Sequence, residues 1–151
     1  MSTLKARLET DLRAAMKARD ELVTSTLRMA LTAVRAAEVA GTAARELSDD
    51  EVLTVLTKEA KKRREAATAF AGAGRDALAT KERAEEDVLS GYLPAQLSDD
   101  ELRELVAGAL AAGDFSGKQS IGPAMKAAQA AVAGKAEGGR VAAEVRRQLA
   151  L

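Results

Sequence analysis

The sequence predicts an all-α fold, with an N-terminal bundle of about four helices and a small C-terminal three-helix domain. Three observations predict it. Apolar residues recur three or four positions apart along the chain, and no alternating strand pattern competes. Aromatic residues are nearly absent, with only Phe70, Tyr92 and Phe115, so the core must be Ala, Leu, Val and Met, a mixture suited to closely approaching helices rather than sheets. The pentapeptide "LSDDE" occurs at 47 and again at 97. Each copy opens a helix with a serine three residues before a glutamate, the spacing of a capping box, and with aspartates where the helix dipole favours negative charge.

Each element has its own support. Leu4, Leu8, Leu12 and Met16 make one stripe of a first helix, and Val23, Leu27, Ala30, Val34 and Ala37 make a second that ends near Gly41. Ser48 and Glu51 start a third, whose apolar side carries Val52, Val55, Leu56, Ala66, Ala67 and Phe70 and which stops near "GAG" at 72–74. A fourth, more polar helix runs from about Arg75 to Ser90. "GYLPAQLSDDEL" marks the domain boundary: Gly91 stops a helix, Pro94 pushes Leu93 out of the helical region, and Ser98 with Glu101 opens the next helix. The expected domains are 1–92 and 93–151. In the second, Ile121, Met125, Ala128 and Val132 form one stripe and Val141, Val145 and Leu149 another, a helical hairpin closed through Gly134 and Gly138 or Gly139. The repeated pentapeptide is two helix starts solving one capping problem, because beyond it only the apolar spacing agrees.

Composition narrows the chemistry. Lys plus Arg and Asp plus Glu each number 23, for a net charge of zero, so attraction to nucleic acid must come from a local patch. There is no cysteine and no histidine, which removes disulfides, thiol nucleophiles, Cys/His zinc sites and imidazole acid–base catalysis. No apolar run approaches the ~20 residues of a membrane span. Lys5, Arg7, Glu9 and Asp11 interrupt the leucines of the N-terminus, which therefore lacks a secretory core. A cytoplasmic protein with no cofactor, no metal and no membrane partner is expected.

"VAGKAEGGRV", 132–141, poses the functional question. It is no P-loop, since Lys135 is followed by Ala136 and a helix precedes it, and "SGKQS" at 116–120 lacks the earlier glycine. Two readings remain: glycines that end and begin helices, or a tight turn whose glycines admit another surface beside a helix N-terminus that suits an anion. Charge bears on the choice. From 93 to 114 Arg103 stands among Asp99, Asp100, Glu101, Glu104 and Asp114, whereas from 115 onward Lys118, Lys126, Lys135, Arg140, Arg146 and Arg147 face only Glu137 and Glu144. The last hairpin is locally basic, and a backbone phosphate is a fitting partner.

In "KEAKKRRE", 58–65, Lys58, Lys61 and Lys62 share one side. Arg63 falls within the apolar stripe, four residues after Glu59 in the favoured order. A partly buried Glu59–Arg63 ion pair is expected, and Glu59→Ala should then cost more stability than a surface change. The clusters Asp49/Asp50/Glu51, Glu85/Glu86/Asp87 and Asp99/Asp100/Glu101 consist of consecutive helical residues that point apart, so helix-start and solvent roles are expected rather than metal binding. No stretch resembles the loops of a serine–lysine amidase, and no catalytic residue is assigned.

"YLPAQLSDDEL" followed by "GPAMKAAQAAVAGKAEGGRVAAEVRRQL" resembles the GatB/YqeY family, in particular its small stand-alone members, and "LRMALTAV" and "LTKEAKKRREAATAF" are also similar. The likeness covers nearly the whole chain; one departure is Glu137, where the pattern has Asp. The resemblance implies an N-terminal helical bundle and a smaller domain similar to the tail of the B subunit of the tRNA-dependent amidotransferase, a tail that contacts tRNA. It carries a label of glutamine-dependent carbon–nitrogen ligation, although the glutaminase serine and lysine and the ATP-using centre lie outside the tail. Carried over, it places a nucleic-acid contact at Lys126, Gly134, Lys135 and Gly138, to which charge adds Arg140. The implied function is a non-catalytic tRNA-binding or accessory module. The alternative is a helical adaptor that docks on a protein, with amidotransferase subunits as candidate partners.

Overall fold

A computed structural model describes residues 2–151 and contains seven α-helices, with no strand among the described residues: α1 Thr3–Ala18, α2 Glu21–Glu38, α3 Asp49–Gly72, α4 Asp76–Ser90, α5 Asp99–Ala112, α6 Ile121–Val132 and α7 Gly138–Gln148. A 3₁₀ turn, Lys118–Ser120, precedes α6. The fold is all-α, and the helices form two compact units, Met1–Leu93 and Pro94–Leu151.

In the first unit Leu8, Leu27, Leu31, Val34, Val52, Leu56 and Leu89 are fully enclosed. Met16, placed by spacing on the α1 stripe, is instead 48% exposed. A four-residue step turns 400°, so a strict i, i+4 row drifts about 40° per step, and Ala15 takes the buried place. The start of α1 is held twice: the Ser2 side chain accepts from Lys5 N–H, and the Asp49 carboxylate accepts from Ser2 Oγ, Thr3 Oγ1 and the Leu4 N–H at 3.0 Å. Those bonds, led by the Ser2 hydroxyl, lower the Asp49 carboxyl to about 2. At its other end α2 stops at Glu38, short of Gly41, and Glu38 accepts Lys5 Nζ at 2.9 and 3.0 Å. Both capping boxes are complete, Ser48 with Glu51 and Ser98 with Glu101.

The second unit packs α5, α6 and α7 around Leu102, Val106, Ala124, Ala128, Val132, Val141 and Val145. Alanines at the α6 contacts keep the side chains between the axes short. After α5 the Phe115 ring folds back on Gly113, where a Cβ would sit 2.2 Å from Cε2.

Candidate nucleic-acid interface

The hairpin between α6 and α7 closes with two consecutive left-handed residues, Ala133 at φ 51° and Gly134 at φ 78°. Glycine enters that region without the strain an L side chain meets there, so Gly134 eases the second of the two left-handed positions while Ala133 takes the first. Gly138 and Gly139 are different. Both lie inside α7, a Cβ on Gly138 would meet Gln129 Nε2 at an ordinary 3.7 Å, and one on Gly139 would meet open space. Glu137 precedes α7 in extended conformation, and its side chain makes no N-cap hydrogen bond.

The turn is clipped to the entry of α5. Leu97 N–H donates to the Lys135 carbonyl at 2.7 Å, and Arg140 Nη2 donates to the Leu97 carbonyl and to Asp99 Oδ1, each at 3.0 Å. Lys135 and Arg140 are thus brought to one place, beside the α5 N-terminus. The Lys135 side chain is exposed, and its charge helps lower the Glu101 carboxyl, after the larger effect of the Ser98 N–H and hydroxyl. Arg140 is half-buried and already paired with Asp99. Lys126 is exposed in the middle of α6, between the buried Ala124 and Ala128, with no ion pair among the described residues. The cationic groups are therefore not equivalent: two adjoin acids of α5 and one is open.

The first unit holds a different charged cluster. Arg63 Nη2 lies 3.6 Å from Glu59 Oε2, and Arg63 Nε lies 3.1 Å from Glu85 and 3.9 Å from Glu82. The Arg63 and Glu85 side chains are 14% and 6% exposed. Arg63 Nε and Glu82 Oε2 are buried without a hydrogen bond. Lys62 meets Glu59 at 3.1 Å from the rim. One guanidinium thus joins α3 to two glutamates of α4, and Met29 Sδ of α2 lies 3.8 Å from its Nη2.

Tyr92, just past α4, donates to Asp11 Oδ2 at 2.6 Å, and the Arg7 guanidinium stacks 4.6 Å from the ring centroid. Burial, then the Asp11 carboxylate, raise the phenol above its ordinary value. Neither the α4 glutamates around Arg63 nor the Tyr92–Asp11 bond has a local signal, because their partners lie 19 to 81 positions away in sequence. Among the described residues no set of three or more His, Cys, Asp or Glu side chains is grouped to hold a metal ion, and no helix is long and apolar enough to cross a membrane.

No curated protein matches the chain. A family model described as Yqey-like protein matches residues 5–149. That span takes in all of α2 to α7 and nearly all of α1, and on it the chain belongs to the Yqey-like protein family.

Proposed function

We propose that the chain is a non-catalytic accessory protein that handles tRNA, its C-terminal unit contacting the phosphate backbone at the α6–α7 turn. One observation supports this above the others: the left-handed turn at Ala133 and Gly134 presents an exposed Lys135 three residues before an α7 start that carries no side-chain cap. Uncapped N–H groups, the positive end of a helix and a nearby ammonium together suit a phosphate. Lys126 adds an unpaired charge to the same hairpin, while Arg140 contributes the part of its guanidinium that Asp99 and Leu97 leave available. The resemblance to the amidotransferase tail agrees with this assignment.

Purified protein titrated with tRNA over a salt series tests the reading. Micromolar or tighter binding at low salt is expected, falling steeply as salt rises, and weaker again in Lys126→Glu/Lys135→Glu. Absence of binding at low salt would refute it. A second reading is a protein-docking adaptor for amidotransferase subunits, to which the first unit would offer the exposed apolar side chains Met16, Met29, Val39 and Leu78. A pull-down that retains amidotransferase subunits after nuclease treatment would favour it.

A further inference from the structure

A groove of about 350 Å³ between α5 and α7 is lined by three guanidiniums, Arg103 from α5 and Arg140 and Arg147 from α7, together with Asp99 and Glu144. Each guanidinium has an internal carboxylate, but the three pairs differ in kind. Glu144 is nearly enclosed, takes two bonds from Arg147 at 2.6 and 2.8 Å and a third from Gln148, and is built in. Asp99 and Asp100, which hold Arg140 and Arg103, are 89% and 83% exposed and each make one 3.0 Å contact. Exposed single-contact pairs of this type are worth little, whereas guanidinium–phosphate contacts are charge-assisted and bidentate. Asp99 and Asp100 also sit in the first turn of α5, so on leaving the arginines they keep the favourable helix-dipole interaction.

Spacing gives the groove a direction. Arg140 and Arg147 are seven residues apart on α7, hence on nearly one face and roughly 10 Å apart along the axis. The Arg103 backbone lies beside the C-terminal end of α7, where Gln148 Nε2 donates to its carbonyl at 3.0 Å, and its guanidinium reaches back to Asp100. Positive groups at two such stations fit anions repeated along a strand better than one isolated anion.

We propose that the α5–α7 groove is a track for an RNA phosphodiester backbone, with Asp99 and Asp100 as exchangeable counter-ions that the phosphates displace. This rests on the tRNA reading above and assigns it Arg103 and Arg147, two residues outside the α6–α7 turn. It also turns two acids from obstacles into a gate: removing them strengthens binding.

The test is tRNA binding by the full chain, followed by anisotropy over a salt series. Arg103→Gln/Arg147→Gln should weaken binding about tenfold at low salt and flatten the slope of log K against log salt by roughly one to two. Arg146→Gln, a neighbouring exposed arginine outside the groove, should change affinity less than about threefold. Asp99→Asn/Asp100→Asn should tighten binding by about threefold or more, and clearly more than Glu104→Gln/Asp114→Asn, which makes the same change in net charge elsewhere on this unit. If Lys126→Glu/Lys135→Glu abolishes binding while Arg103→Gln/Arg147→Gln leaves it intact, the groove assignment is wrong and the tRNA reading stands. No binding by the parent chain removes both. Competition by poly-glutamate as effective as that by RNA would also overturn the proposal, since the groove would then be a seat for acidic protein. If Arg147→Gln unfolds the unit, Arg103→Gln alone carries the test, with about a threefold loss expected and no loss overturning it.

Discussion

Arg63 is the residue whose replacement should harm the first unit most. Spacing within α3 alone suggests that Glu59→Ala strands it, but Glu85 at 3.1 Å and Glu82 at 3.9 Å leave Arg63 compensated when Glu59 is removed. The imbalance runs the other way. Three carboxylates with side chains 6% to 21% exposed share one guanidinium and, from the rim, Lys62. Arg63→Met keeps the apolar stem and removes the charge, leaving Glu82 and Glu85 with no cation. Breaking a buried pair from one side costs about 3–5 kcal/mol. For a unit the size of Met1–Leu93, each kcal/mol moves the melting temperature by about 4–8 °C, so a drop of about 12 °C or more is expected in thermal unfolding followed by circular dichroism. Glu59→Gln, which lowers the negative excess, should stay within about 1 kcal/mol of the parent. Glu85→Gln added to Arg63→Met should recover part of the loss, a coupling that a double-mutant cycle measures. An Arg63→Met protein that melts within about 4 °C of the parent, or a Glu59→Gln protein as damaged as Arg63→Met, would refute the argument.

Acid unfolding should follow the capped carboxylates. Asp49, Glu51 and Glu144 are lowered to about 2 from ordinary values of 3.8 to 4.5, chiefly by the Ser2, Arg45 and Arg147 side chains respectively. Their contribution is whole above the ordinary values and disappears as pH falls toward about 2, so a melting temperature flat from pH 4 down to pH 2 would contradict it. Ser98→Ala removes half of the α5 capping box and should cost about 1 kcal/mol in denaturant unfolding. Gly113→Ala should cost about 1–3 kcal/mol because its Cβ would meet the Phe115 ring. Shortening Phe115 to leucine in the same protein should reduce that cost, and an additive pair of effects would count against the clash.

Legibility in the sequence followed distance along the chain. The two capping boxes depend on residues three apart, and the sequence pattern and the structure agree on Ser48/Glu51 and Ser98/Glu101. Periodicity located the helices, yet a row of four-residue steps put Met16 inside where Ala15 belongs, because small angular errors accumulate. Glycines suggest the helix ends, and α2 nonetheless stops at Glu38, whose carboxylate accepts from Lys5 Nζ. In the candidate interface, the preference for glycine at 134 is a local backbone property. The pairing of Arg140 with Asp99 spans 41 positions. A count of charges along the hairpin treats Arg140 and Lys126 alike, whereas packing of α7 against α5 places one beside acids and leaves the other open. Asp49 and Asp99 make the same point from the acidic side: identical pentapeptides point one aspartate at α1 and the other at α7.

Tyr92 is the chain's single tyrosine, and there is no tryptophan. Its phenol is tied to a carboxylate and its ring is covered by a guanidinium, both on α1. Excited near 280 nm, the protein therefore emits from one half only, dimmed while Asp11 holds the hydroxyl and altered when α1 lets go. The half that carries Lys126, Lys135 and the arginine groove is optically dark at that wavelength, so a tryptophan introduced there would report on its unfolding against a native background confined to the other half.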